Sequence, residues 1–390
     1  MNLGKTSEKS VMQIWPIIIC ILLWFVGFTY NTGFGIQNNI FYQAKDITTG
    51  LFCLCVIFNH KKYRLTAEIV IIAAAVFYIY TANQVRNEYM GVYVEDYIWV
   101  WLLIPIMKSF KIEEKQIKWI GYFYGIVSTG VLLIANATGI LDGWDGNSVS
   151  MVQFFGYTIF ISIFSEIKNK KNIRNLVIFS IGYFYLLNKY DSRSAILFST
   201  VMLLCMLSVI PLRRLLNKYL VMLILLFPII VAIIIVNVNE LPFIDGLNEW
   251  SLSTFNKSIF SGRDRIWEDG FKTWGEHFFI GNGNLSYGNY HNSAISMLVG
   301  GGSIGYLVTI GVCYRILTKA LNWINDSVVY GLTTSFLTIW MQQSVELGII
   351  SATPNVIPYM ILGLIYARIT TLECKKNDKG FDNSPDFQYR

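Results

Sequence analysis

Residues Ser261–Gly305 read SGRDRIWEDGFKTWGEHFFIGNGNLSYGNYHNSAISMLVGGGSIG. Two arginines two residues apart open the stretch, a Gly/Asn-rich turn divides it, and His291 stands where an apolar run begins. Trp267, Phe271 and Trp274 fall at i, i+4 and i+7. That spacing predicts one face of a short amphipathic helix, able to lie on a membrane or on a helical bundle. Gly281, Gly283 and Gly288, with Asn282 and Asn284, supply the turn that follows. This stretch ends the longest polar interval in an otherwise mostly apolar chain. The remaining residues therefore read as the means of holding it at one face of a membrane.

Composition agrees. Of 390 residues 54% are hydrophobic and 14% charged, against about 25% charged in soluble domains. Apolar runs near the roughly 20 residues needed to span a bilayer recur along the chain. The fold class expected is an all-α polytopic integral membrane protein of about 12 transmembrane helices with one large extracytoplasmic loop. Cys20, Cys53, Cys55, Cys205, Cys313 and Cys374 lie in apolar runs or the terminal tail. None falls in the long polar loop, so neither a disulfide framework nor a Cys-rich metal site is expected, and Cys53-x-Cys55 reads as membrane packing. The first apolar run is followed by no small-residue cleavage site and reads as a retained helix.

The candidate spans are centred on Val11–Phe28, Ile40–Phe58, Leu65–Ala82, Tyr97–Met107, Trp119–Ile140 and Val149–Ser165, then on Ile173–Leu187, Ala195–Ile210, Tyr219–Val236, Asn292–Ile310, Val328–Ile349 and Val356–Ile369. Helices 1–9 thus occupy residues 1–236 and a loop covers 237–290. Helices 10–12 follow within 291–370, and 371–390 form a tail, polar and expected to be disordered from Glu373. With the N-terminus inside, 23 of the 31 Lys and Arg residues fall on inner segments and eight on outer ones. Every inner segment is basic and the bias never reverses, as the positive-inside rule requires. Both termini are expected in the cytoplasm, in a cell (cytoplasmic) membrane protein whose loop lies outside. The basic clusters read as topology determinants touching anionic lipid, and no nucleic-acid partner is expected.

Few residues on the outer side could carry chemistry. Arg193 opens the eighth span, Arg263 and Arg265 lie in the loop, and His291 with Asn292 begins the tenth span. Guanidinium groups fork onto phosphate oxygens, and a histidine beside them can move a proton. The plainer reading of Arg193 is an interfacial anchor. Glu68, Gln342, Gln343 and Glu346 sit within or near the ends of spans, where ionisable groups are functional candidates. Of these, Glu346 is the one placed to face the loop. Gly300, Gly301, Gly302 and Gly305 would permit either close helix packing or a break in the tenth span. Gly281-x-Gly283 does not sit in a nucleotide-binding context.

Ser192-Arg193-Ser194-Ala195 opens a span, and Ser261-Gly262-Arg263-x-x-Ile266-Trp267 follows in the loop. Phe279-Ile280-Gly281-x-Gly283 comes next, then His291-Asn292 leading into a glycine-rich span. Together, over roughly Tyr190 to Val308, these resemble the O-antigen ligase/polymerase superfamily, whose members include Wzy-type repeat-unit polymerases and O-antigen ligases. One departure is Phe278-Phe279 where a Pro-Leu pair would be usual. The resemblance implies a GT-C-like membrane glycosyltransferase that needs neither metal nor cofactor. Its donor would be an oligosaccharide on undecaprenyl diphosphate, at the outer face of the membrane. Carried over, Arg193 and Arg263 would bind the diphosphate and His291 would be catalytic. Arg265, Asn292, Trp267 and Glu346 would contact substrate. Partners expected besides the lipid-linked oligosaccharide and the bilayer are a flippase and a chain-length regulator. The activity expected is polymerisation of repeat units into capsule or O-antigen polysaccharide. The alternatives are ligase-type transfer to another acceptor and, from a different class, a transporter or flippase for lipid-linked glycan.

Overall fold

The computed structural model describes residues 16–24, 70, 71, 74, 77, 94–140, 146–164, 170–238, 242–255, 258, 260, 262–283, 289–349 and 355–382. The expected span Ile40–Phe58 lies outside these residues, as do Cys53, Cys55, Glu68 and all of Leu65–Ala82 but four residues. Every regular element among the described residues is helical. In chain order they are α1 (16–24), α2 (Val94–Lys108), α3 (Glu114–Gly125), α4 (Leu132–Ala137), α5 (Gly146–Ser162), α6 (Lys170–Lys189) and α7 (Arg193–Met206). Then come α8 (Leu212–Leu215), α9 (Lys218–Val238), α10 (Pro242–Phe255), α11 (Arg263–Glu276), α12 (Ser293–Leu321), α13 (Ser327–Gln342) and α14 (Val356–Asp382). A π-helical stretch, Ile126–Val131, joins α3 to α4, so Glu114–Ala137 forms one rod of 24 residues.

Four helical rods among the described residues are long and apolar enough to cross a membrane: Glu114–Ala137, Lys218–Val238, Ser293–Leu321 and Val356–Lys376. Where apolar side chains face outward they do so in bulk. On α6, Ile173, Val177, Ile178, Ile181 and Tyr185 are exposed, and on α9 so are Leu223, Ile233 and Ile234. A water-facing surface does not gather apolar side chains in this way. The bundle is membrane-embedded.

Polar residues sort inward. In α13 all residues but Ser327 and Met341 are buried, Thr333, Thr334, Ser335 and Thr338 among them. Between apolar helices in lipid, small and hydroxylated residues permit close backbone approach and cross-helix hydrogen bonds. The Tyr157 and Tyr183 rings stack at 3.6 Å, and their hydroxyls bond Ser180 at 2.5 Å and Ser199 at 2.6 Å, pinning α5, α6 and α7 together. Trp101 meets Tyr359 edge-on at 4.8 Å where α2 packs on α14.

At one end of the bundle the buried Arg368 forks onto Asp326, Nε to Oδ1 at 3.2 Å and Nη2 to Oδ2 at 2.7 Å. Asp326 also caps α13 by accepting from Val328 and Val329 N–H. Lys375 pairs with Glu113 at 2.7 Å and Lys319 with Glu373 at 3.3 Å. α14 continues to Asp382, which corrects the expectation of disorder for 373–382, and these pairs tie its first charged turn back to the bundle; 383–390 lie outside the described residues.

The apolar run Val328–Ile349 is also not one helix. α13 ends at Gln342. The Gln343 side-chain oxygen then accepts from Ser293 Oγ at 2.9 Å and Ile349 N at 2.8 Å, folding 343–349 back over the start of α12.

α12 itself is broken. Gly302 has φ 63° and ψ −171°, a conformation open to glycine alone. In an unbroken helix Val299 O and Gly300 O would accept from Ser303 N and Ile304 N. Instead the chain at 278–283 inserts itself: Asn282 N donates to Val299 O (2.8 Å) and Gly283 N to Gly300 O (2.9 Å). On the other side Ser303 N donates to Phe278 O (2.9 Å) and Ile304 N to Phe279 O (3.0 Å). Two missing rungs are thus replaced by four bonds to the loop, and of the two uses the sequence left open for this glycine cluster, the break is present.

Candidate functional site

At the end of the bundle away from Arg368, the site is built on Asn292. Its Oδ1 accepts from Ala294 N (2.9 Å) and Ile295 N (3.2 Å), capping α12. Its Nδ2 donates to Pro228 O of α9 (3.0 Å) and Ser344 O (2.9 Å). One fully buried side chain therefore joins α9, α12 and the turn after α13. Just before it, the Trp267 indole N–H donates to Tyr290 O at 2.6 Å, fixing α11 to the same point. The helix predicted from Trp267, Phe271 and Trp274 exists, and its apolar face packs on the bundle, with Trp267 against Tyr290, Ile295, Val299 and Ala232. Gly270 allows that approach: a Cβ there would lie 2.5 Å from Ile295 Cγ2.

Held between Tyr290 and Asn292, His291 adopts φ 46°, in the left-handed region that only a few per cent of non-glycine residues occupy. Both neighbours are fixed by hydrogen bonds, so the strain falls on the one side chain that points out, about a third exposed. Its Nδ1 stands 3.6 Å from Glu346 Oε2, within ion-pair range and beyond a hydrogen bond. Glu346 Oε1 accepts from Arg263 Nη2 at 3.1 Å and from Ser194 Oγ at 3.5 Å. Arg263 is the first residue of α11, set by Gly262 at φ 76°.

Four segments far apart in sequence therefore converge on one carboxylate: the start of α7, the start of α11, the start of α12 and the turn after α13. Arg193 is exposed and immediately precedes Ser194 in the chain. Arg265 is exposed on α11, two residues beyond Arg263. Trp267 and Asn292 are buried with their side-chain polar atoms bonded inside the protein, so here they hold the site and do not face it. Ser194 was not picked out as a site residue from sequence, and Gln343, named there as a candidate, turns out to brace the start of α12. Serine at a helix start carries no signal of which way it faces, and Gln343 bonds Ser293, fifty residues away.

Among the described residues no group of three His, Cys, Asp or Glu side chains could hold a metal ion. The cluster offers fixed positive charge, one exposed imidazole, and a carboxylate touching both. No protein-family model matches the chain, and no curated protein matches it.

Proposed function

We propose that this protein is a membrane glycosyltransferase that joins oligosaccharide repeat units carried on undecaprenyl diphosphate, at the outer face of the cytoplasmic membrane. The observation carrying this reading is the convergence of Arg263, His291 and Ser194 on Glu346, with Arg193 next to Ser194 in the chain. In the proposed reaction the acceptor-sugar hydroxyl attacks the anomeric carbon of the donor. As the new C–O bond forms, the anomeric carbon–phosphate oxygen bond breaks, and the electron pair leaves with undecaprenyl diphosphate. Arg193 and Arg263 neutralise the charge developing on that leaving group. The hydroxyl proton passes to His291 Nε2, the nitrogen left facing outward because Nδ1 is turned to Glu346. Displacement from the opposite face inverts the anomeric centre.

A discontinuous span is also a mark of ion-coupled transporters, whose freed carbonyls coordinate the ion. In α12 the carbonyls at the break already accept from Asn282 and Gly283, which favours the transferase.

The test is a reconstituted assay with purified lipid-linked repeat unit. General-base assistance is typically worth about 10²–10⁴-fold, so His291→Ala should lower turnover by that order while donor still binds. His277 ends α11, about 20 Å along the helix from Arg263 by the rise per residue, and His277→Ala should be nearly silent. Turnover should survive EDTA. Equal losses from the two histidine variants, or transport of the glycan without bond formation, would refute the reading.

A further inference from the structure

α10 follows the apolar span α9 after only three residues and has three distinct faces. Ile244 and Ser251 are buried and mark its line of contact with the protein. Phe243, Leu247 and Trp250, at i, i+4 and i+7, are 57%, 41% and 56% exposed. Asp245 and Glu249 are exposed on the third side, together with Leu252. At 3.6 residues per turn the apolar stripe lies roughly a quarter-turn from the contact line and roughly two-fifths of a turn from the acidic pair. α9, from which α10 departs, is itself mostly lipid-facing, with Ile233 and Ile234 exposed in the turns just before it ends.

We infer that α10 is an interfacial helix lying flat in the bilayer leaflet at the Val238 end of α9. Its Phe243/Leu247/Trp250 stripe sinks to the headgroup–acyl boundary and its acidic stripe turns to water. The stripe begins only five residues after the apolar span α9 ends, and α9 exposes Ile233 and Ile234 in its last turns, which is the argument for lipid over any protein partner. An apolar stripe beside a charged one on a helix joined to a span is the form of an interface-seeking helix, and Trp is the residue suited to that depth. α10 contains no Lys or Arg, so its attachment is apolar and not drawn by anionic lipid. Arg263 follows the end of α10 by eight residues. A helix fixed at headgroup height thus sets the height of the arginine proposed to meet a lipid diphosphate. The inference needs only the membrane-embedded bundle, so its failure and that of the transferase reading are separable.

The test uses the full chain in phosphatidylethanolamine/phosphatidylglycerol vesicles. The Trp250 emission is obtained as wild type minus Trp250→Phe, and quenching is compared between lipid brominated high on the acyl chain and aqueous acrylamide. A second protein carries Glu249→Trp in the Trp250→Phe background. Bromolipid should quench Trp250 several-fold more than acrylamide does, and the order should reverse at position 249, unaltered by high salt. Acrylamide quenching at both positions would put the stripe in water, and bromolipid quenching at both would mean a submerged helix. Protection of Trp250 from both quenchers would mean protein covers it. Each of these three results overturns the inference.

Discussion

Glu346 is shared by Arg263, Ser194 and His291, and an anion that reaches Arg263 has to compete with it. The two side chains of the Arg263–Glu346 pair are 24% and 22% exposed, so solvent screens them, and such a pair is worth about 1 kcal/mol. Glu346→Gln should therefore lower KM for lipid-linked donor about fivefold. The same change removes the negative charge beside the imidazole just as it takes up a proton, so kcat should fall about tenfold. A raised KM with unchanged kcat in steady-state assays would make Glu346 a donor contact and not a positioning residue. Arg263→Lys should keep only part of the activity of wild type, because an ammonium lacks the bidentate fork. Glu346 could be picked out because ionisable groups near the ends of apolar runs are expensive and rare, whereas Arg193, Arg263 and His291 were picked out by their chemistry on the outer side and by the resemblance. Asn292 was expected to contact substrate, whereas it caps α12, a position where Asn is preferred. Its bonds to Pro228 O and Ser344 O were not legible, since they join positions 64 and 52 residues away.

At the scale of elements, the glycine cluster in α12 announced either packing or a break, and only backbone geometry distinguishes them. A Cβ at Gly302 would stand 2.3 Å from Phe279 O, in a conformation L-residues avoid. Gly302→Ala should cost about 3 kcal/mol, read as a lowered melting temperature in detergent. Gly311, on the same helix, is the control of opposite sign. A Cβ there meets nothing within 4 Å, so Gly311→Ala should be neutral or stabilising by up to about 1 kcal/mol. Equal effects from the two would mean the break is not a structural requirement. α11 could be read from its aromatic spacing, whereas α10 escaped notice because its apolar and contact lines point different ways and no single face repeats cleanly.

For the whole molecule, apolar runs revealed that helices exist but not which ones lie inside. α9 is the most apolar of the four long rods yet only 28% of its spanning window is buried, against 83% for α14. In lipid, apolarity does not separate inside from outside; hydroxyls and amides do, which is why α13 with its threonines is central. The run Val328–Ile349 overshot its helix for the same reason, since residues 343–349 leave the helical path without leaving the bundle. Arg368, Lys319 and Lys375 gather at one end of the bundle, each paired with an acid, and the site cluster of Arg263, His291 and Glu346 lies at the other. Under the positive-inside rule the Arg368 end would face the cytoplasm and His291 would face outward, as the proposed function requires. Gly275→Cys on α11, where a Cβ meets nothing within 4 Å, should label with an impermeant thiol reagent in intact cells. Lys115→Cys, exposed on α3, should label only after lysis. The reverse pattern would invert the topology and remove the proposed site from its substrate.

The seam at Gly302 also bears on how the molecule is made. Residues 278–283 precede 299–304 in the chain, so during synthesis the polypeptide that mends the helix emerges before the helix does. Val299 O, Gly300 O, Ser303 N and Ile304 N can each find their partner as soon as the span enters the bilayer. In a circularly permuted chain that delivered the span first, the same four groups would enter hydrocarbon with nothing to bond, at several kcal/mol each. Direction of synthesis is thereby built into the fold.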